Sequence, residues 1–139
     1  MKRFLFLAIA IVVSACSGKI DEAELTHLNG YWEIEKAEMP DGETKEYAVN
    51  STVDYFEIKD NKGFRKKVMP QLDGSYRTGS SDEKINVSDE DTGTYINYKT
   101  DYATWKERIV ELDEDELVLK NDHGMVYHYK RFKPFSIKE

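Results

Sequence analysis

The sequence predicts an all-β protein, a small antiparallel up-and-down β-barrel of about eight strands with a short N-terminal helical turn. From Tyr31 onward, apolar and polar residues alternate with a period of two, which places successive side chains on opposite faces of a strand. Turn-forming residues interrupt these runs about every ten residues, as in hairpin-linked antiparallel sheets. Closing such a meander removes its exposed edges, and eight strands enclose either side chains or one small ligand.

The N-terminal segment has the organisation of a secretion signal. A basic start and an apolar run over residues 4–13 lead to Cys16, the only cysteine in the chain. The run is too short for a membrane-spanning helix, which needs about 20 residues. Its end, Val13-Ser14-Ala15-Cys16, resembles the lipobox of bacterial lipoproteins. The resemblance implies that residues 1–15 are removed and that an acylated Cys16 anchors the protein to a membrane; a plain secretory signal is the alternative.

Charge and cysteine content exclude some classes of protein. Removal of residues 1–15, which contain two basic residues and no acidic one, lowers the net charge from −7 to −9. Such a surface repels nucleic acid, so nucleic-acid binding is excluded. With one cysteine, no disulfide forms within the chain. We interpret residues 16–25 as the lipidated cysteine and a polar tether, residues 26–133 as one barrel domain and residues 134–139 as a tail.

The elements follow in order along the chain. A helical turn is expected over Glu22–Leu28, just before the sheet. Alternating, β-branched and aromatic residues predict strands at 31–38, 51–59, 63–70, 74–79, 84–89, 93–99, 104–112, 116–121 and 124–132. The runs 74–79 and 84–89 are either two strands or one irregular strand, and the second option gives eight strands.

The segments between the strands carry turn chemistry, because Asn, Asp and Gly tolerate the positive φ that tight hairpins require. They are Pro40–Gly42, Asp60–Gly63, Asp73–Gly74, Asp91–Gly93, Asp113–Asp115 and Asn121–Gly124.

Two motifs at the ends of the predicted sheet resemble a known family. Gly30-Tyr31-Trp32 carries Gly-x-Trp at the start of the first strand, and Arg131 lies late in the last. The combination is similar to lipocalins, and more closely to the lipocalin-like lipoproteins of Bacteroidetes-type bacteria. The resemblance implies a barrel whose closed end holds Trp32, with Arg131 packed across its ring and Gly30 allowing close approach. The tail is too short for the helix that packs beside longer lipocalins, so the fold carries over better than any ligand. An ordinary core aromatic is the alternative for Trp32.

Tyrosines supply the candidate ligand-binding residues. The predicted strands contain Tyr55, Tyr95, Tyr98, Tyr127 and Tyr129. Inward-facing rings with hydroxyls suit a cavity for an amphipathic molecule; the alternative is that the rings simply fill the small barrel. The basic run 63–68 could contact an anionic ligand or glycan, but such a run is more often a solvated strand.

No catalytic or metal-binding pattern is visible in the sequence. His27, His123 and His128 share no metal-ligand spacing, and the acidic turns do not fit a calcium loop. No nucleophile motif or phosphate loop is present, so we expect neither enzyme activity nor a cofactor.

The sequence therefore predicts a lipid-anchored lipocalin-like protein of the cell envelope, at the outer membrane, that binds a small apolar or amphipathic ligand in its barrel. The alternative is a protein-interaction module, such as a hydrolase inhibitor, that acts through its outer surface.

Overall fold

The computed structural model describes residues 18–134, apart from the side chains of residues 80 and 81. The signal segment, Cys16 and residues 135–139 lie outside the described residues. The first elements of the described residues are helix α1 (Glu22–Leu25) and a 3₁₀ turn (Thr26–Leu28), as predicted. Nine strands follow: β1 (Gly30–Glu38), β2 (Thr44–Glu46), β3 (Val53–Lys59), β4 (Lys62–Pro70), β5 (Tyr76–Glu90), β6 (Gly93–Lys99), β7 (Thr104–Leu112), β8 (Glu116–Asn121) and β9 (Val126–Arg131).

The sheet closes into the predicted antiparallel barrel. Consecutive strands from β3 to β9 pair as a meander, and β1 pairs with β3 on one side and β9 on the other. Eight strands thus form the barrel wall. The short β2 adds to the last three residues of β1. It was not predicted, because its three exposed residues carry no apolar alternation.

Strand β5 resolves the ambiguity over residues 74–89. It is one strand of 15 residues, where the sequence left open two. The register against β4 shifts between Lys66, which pairs with Asp82, and Val68, which pairs with Thr78. A bulge of this kind bends a strand without ending it, so turn-like residues within β5 do not form a hairpin.

The two ends of the barrel differ. The β3–β4, β5–β6 and β7–β8 hairpins lie at the end where β1 starts, together with α1 and the 3₁₀ turn. We call this the closed end, and we call the opposite end, formed by the β4–β5, β6–β7 and β8–β9 connections, the mouth. Apolar side chains fill the interior, and the largest fully buried ones include Trp32, Phe56, Ile96, Ile109, Leu117 and Leu119.

The packed domain begins earlier than expected. Leu25 and Leu28 are buried, and Ile20 packs against the same core. The backbone N–H of Ile20 also donates to Thr94 Oγ1 at 2.9 Å. The predicted tether over residues 16–25 is therefore wrong from residue 20 onward. The polar composition of the segment concealed apolar residues that bury against the barrel.

Candidate functional site

The closed end is held by Arg131. Its guanidinium carbon lies 3.9 Å from the centre of the Trp32 ring. The same side chain donates to three backbone carbonyls, those of Asn29 at 2.7 Å, His27 at 2.6 Å and Glu114 at 2.8 Å. The fork of guanidinium donors thus joins β9 to the turn before β1 and to the β7–β8 hairpin. These contacts tie three segments together beneath the core.

Trp32 and Gly30 complete this closed end. The Trp32 indole N–H donates to the carbonyl of Leu28 at 2.9 Å, and the ring is fully buried. Gly30 has a φ of +117°, and a Cβ there would lie 2.8 Å from Arg131 Nη1. Glycine is therefore required both by the backbone conformation and by the approach of the guanidinium. Side chains and the turn before β1 therefore fill this end of the barrel.

A charged cluster lies inside the barrel, between this closed end and the mouth. Arg65 Nε donates to Glu83 at 2.7 Å, and Arg65 Nη1 lies 3.6 Å from Glu107 Oε1. The Arg65 side chain is 12% exposed and that of Glu107 is 8% exposed. The guanidinium carbon also lies 4.3 Å from the Tyr98 ring centre and 5.9 Å from that of Phe56. Aromatic rings and carboxylates therefore surround a cation in the barrel interior.

The cluster is electrostatically unusual. Burial raises the pKa of Glu107, and the favourable contacts with Tyr98 and Arg65 only partly oppose this. Burial also raises the pKa of Tyr98 well above its ordinary value, and the charge of Glu107 adds to the effect. Asp54, also buried, pairs with the exposed Lys67 at 3.0 Å. The barrel interior thus contains a carboxyl group, that of Glu107, whose ionised form is destabilised by burial.

The predicted cavity tyrosines divide between the two faces of the wall. Tyr98 and Tyr129 are buried in the interior, and Tyr127 is half-buried on the same inner face, near the mouth. Tyr55 and Tyr95 were wrongly predicted to face the cavity.

The error over these two tyrosines has a simple geometric cause. Tyr95 and Tyr98 are three residues apart on one strand, so they must face opposite sides. Tyr55 lies between the buried Asp54 and Phe56, and its ring contacts that of Tyr31 on the outside, with centres 4.7 Å apart.

Sequence reasoning missed the charged cluster itself. The sequence predicts a solvated or ligand-contacting basic strand over residues 63–68, yet Arg65 pairs in register with the inward Phe56. Nothing in the alternation of that run separates Arg65 from its neighbours. Glu107 was detectable, because it lies at period-two spacing between Trp105 and Ile109, both on the inner face.

Trp105 marks the mouth. It pairs in register with Tyr98, and the two rings stack with centres 5.3 Å apart. Trp105 is 37% exposed, although it lies on the inner face of the wall. Trp105 and Tyr127 therefore present aromatic surface at the open end, above the buried charges. This arrangement can hold an amphipathic molecule, with its apolar part on the rings and its polar group toward the carboxylates.

Within residues 18–134, no group of three or more His, Cys, Asp or Glu side chains is arranged to hold a metal ion. The same residues include no helix long and apolar enough to cross a membrane.

Comparison with known proteins agrees with the barrel architecture described above. A family model described as a lipocalin-like domain matches residues 28–119. A crystal structure of a lipocalin-like protein from Bacteroides uniformis is similar, with a TM-score of 0.50 and 18% identity, covering 76% of this chain and 99% of the other. A crystal structure of an uncharacterized protein from Bacteroides eggerthii matches over the same shares, with a TM-score of 0.50 and 16% identity. No curated protein matches the chain significantly.

Proposed function

The chain belongs to the lipocalin-like domain family, and we propose that it is a lipid-anchored cell-envelope protein that binds a small amphipathic molecule at the mouth of its barrel. The ligand would place an apolar body against Trp105 and Tyr127 and a polar group with hydrogen-bond donors toward Glu83 and Glu107. The role is binding and not catalysis.

The observation that carries this proposal is the charged cluster beneath the mouth. Well-packed apolar residues stabilise a barrel interior as well as a buried ion pair or better. Arg65 and Glu107 instead occupy that space, and burial raises the pKa of Glu107. Ionisable groups perturbed in this way, beneath an opening, are typical of binding sites. Glu83, whose side chain is 25% exposed, gives the cluster an edge that a ligand entering the mouth can contact.

The proposed lipid anchor lies near the closed end of the barrel, opposite the proposed ligand site at the mouth. Gly18 lies against the turn at Thr92 and Gly93, at the closed end. Cys16 is two residues upstream, and two residues span about 7 Å at most. A lipid on Cys16 would therefore hold the closed end close to the bilayer and direct the mouth away from it. We propose the outer membrane as the location.

Ligand binding is tested by thermal unfolding of the mature protein in the presence of a library of amphipathic molecules. At least one should raise the melting temperature in the wild type and fail to do so in the Glu107→Gln variant. Glu116→Gln removes an exposed carboxylate on β8 and serves as the matched control. A library without any stabilising member, or a ligand that stabilises Glu107→Gln fully, would contradict binding at this site.

Anchoring is tested separately by metabolic labelling with an alkyne fatty acid. The wild type should carry the label and fractionate with the outer membrane, and Cys16→Ser should lose both properties. A labelled Cys16→Ser chain, or an unlabelled wild type in the soluble fraction, would contradict the anchor.

A further inference from the structure

A groove of about 910 Å³ crosses the outer wall of the barrel over β4 to β7. Phe64, Lys84 and Lys99 contribute to its lining. Along the strands these residues alternate with the buried Ile85 and Tyr98, so their side chains lie on the outer face. The groove also includes the inner-face residues Ile85, Tyr98 and Trp105 and so extends to the mouth. Its lysines, however, lie on the outer face, away from the charged cluster inside the barrel.

Four lysines and two aspartates line this groove, and one of the aspartates, Asp82, is paired with Lys66 at 3.5 Å. Lys106 is neutralised by Glu90, with Nζ 3.0 Å from the carboxylate. In contrast, Lys62, Lys84 and Lys99 form no ion pair within residues 18–134. All three are exposed and occupy neighbouring strands. A chain with a net charge of −7 thus concentrates unpaired positive charge on one part of its wall.

Two of these lysines oppose each other directly. Lys84 on β5 pairs in register with Lys99 on β6. Like charges at opposed positions destabilise a sheet, and the chain has 27 acidic residues from which a partner could have been drawn. An arrangement that lowers stability while gathering charge of the opposite sign to the rest of the surface indicates a site for an anion.

The neighbouring polar groups suit a ligand rich in hydroxyls. Asn97 Nδ2 donates to Asn86 Oδ1 and to Ser88 Oγ, both at 2.9 Å. Within the described chain, no hydrogen bond uses Asn86 Nδ2 or Asn97 Oδ1. The Asn86–Asn97 pair therefore has one donor and one acceptor available for a ligand. Phe64 and the lysine stems add apolar surface.

We propose that this groove binds an acidic oligosaccharide, one that carries carboxylate or sulfate groups. Lys84 and Lys99 hold one acidic group between them, Lys62 binds a second, and the Asn86–Asn97 pair bonds to ring hydroxyls. An acidic peptide fits less well, because β4 to β7 are paired on both sides and offer no free strand edge for backbone bonding. A nucleic acid is disfavoured by the net negative charge of the remaining surface.

Calorimetry on the mature protein, purified in a nonionic detergent, tests the proposal. The probes are an oligogalacturonate and a heparin octasaccharide, with maltooctaose as the neutral control. We expect saturable binding of at least one acidic probe, weakening as salt rises from about 50 to about 200 mM. The double variant Lys84→Gln with Lys99→Gln should lose about tenfold or more in affinity.

The matched control is Lys120→Gln with Lys130→Gln, which removes the same charge from exposed positions on β8 and β9. It should stay within about twofold of the wild type, since isolated surface charges contribute little. Glu107→Gln should also bind normally, which separates this site from the mouth. The proposal is overturned if neither acidic probe binds, if both double variants weaken equally, or if polyglutamate or phosphatidylglycerol vesicles bind as tightly as the oligosaccharides.

A charge reversal gives a second readout. Lys84→Glu places a carboxylate directly opposite Lys99, so the melting temperature should rise by about 1–4 °C while oligosaccharide binding is lost. A fall in melting temperature, or binding at the wild-type affinity, would contradict the role given to the opposed lysines.

Discussion

Arg131 and Trp32 are paired directly across the two strands that close the barrel, and the guanidinium carbon of Arg131 lies 3.9 Å from the centre of the Trp32 ring. The contact joins the first barrel strand to the last, which are neighbours only because the sheet closes. It closes one end of the barrel, so the mouth is the end at which we propose that a ligand binds.

Loss of this contact should destabilise the protein strongly. Arg131→Met removes the cation over the ring and three hydrogen bonds to carbonyls, so we expect a loss of about 2–4 kcal/mol in the free energy of unfolding. Arg131→Lys keeps the charge but loses the fork of donors, so its unfolding free energy should lie between those of the wild type and Arg131→Met. Urea unfolding measures both, with Lys130→Met, an exposed neighbour on the same strand, as control. An Arg131→Met variant as stable as that control would refute this role.

Gly30 should not tolerate a side chain. Gly30→Ala forces a strained φ of +117° and brings Cβ within 2.8 Å of Arg131 Nη1, so we expect a cost of about 1–3 kcal/mol. Gly79→Ala is the matched control, because no atom lies within 4 Å of a Cβ at that position. Thermal unfolding should separate the two variants clearly, and equal melting temperatures would show that the close approach has no energetic weight.

The charges inside the barrel should be strongly coupled. Arg65→Met leaves the buried Glu107 and the half-buried Glu83 without their cation, which we expect to cost about 3–5 kcal/mol. Adding Glu107→Gln should recover part of this loss, because the remaining buried charge is smaller. A double-mutant cycle by urea unfolding measures the coupling, with the exposed Arg77→Met as a control for loss of charge. Strict additivity of the two changes would contradict an interaction between Arg65 and Glu107.

The raised pKa of Glu107 predicts a specific pH dependence. Well below pH 4.5, the ordinary carboxyl pKa, Glu107 is protonated in both the folded and unfolded states. As the pH rises past 4.5 toward the higher folded pKa, the unfolded state gives up its proton first, and the wild type loses stability relative to Glu107→Gln. The difference in unfolding free energy between the two proteins should therefore shift toward the variant as the pH rises above 4.5. A shift toward the wild type would show that the pKa is lowered instead.

The barrel and the motifs at its closed end were predictable because they depend on local patterns. Period-two alternation gave the strands, and Gly-x-Trp with a late Arg identified the pair that meets where the sheet closes. Strand β5 remained ambiguous because its bulge residues carry turn chemistry, and only pairing with β4 shows that the strand continues. The three residues of β2 have no pattern of their own and depend entirely on the edge that β1 offers.

The interior charges were much harder to predict. Arg65 lies in a run of basic residues. Alternation that places the apolar Phe64 and Val68 on the inner face places Arg65 on the outer face. Its position is set by its register opposite Phe56, which is a tertiary property. The prediction for Tyr55 and Tyr95 was wrong for a different reason. It relied on residue type, whereas the alternation along each strand places both side chains on the outer face of the barrel.

The most direct test of binding at the mouth uses the two tryptophans. Trp32 is fully buried at the closed end and Trp105 is exposed at the mouth, so energy transfer to N-phenyl-1-naphthylamine, an apolar amine with one N–H donor, reports where the probe binds. We predict saturable probe fluorescence with quenching of tryptophan emission in the wild type, loss of most of the quenching in Trp105→Phe, and weaker binding in Glu107→Gln. Probe binding that quenches Trp105→Phe as strongly as the wild type, or no saturable binding at all, would contradict a ligand site at the mouth.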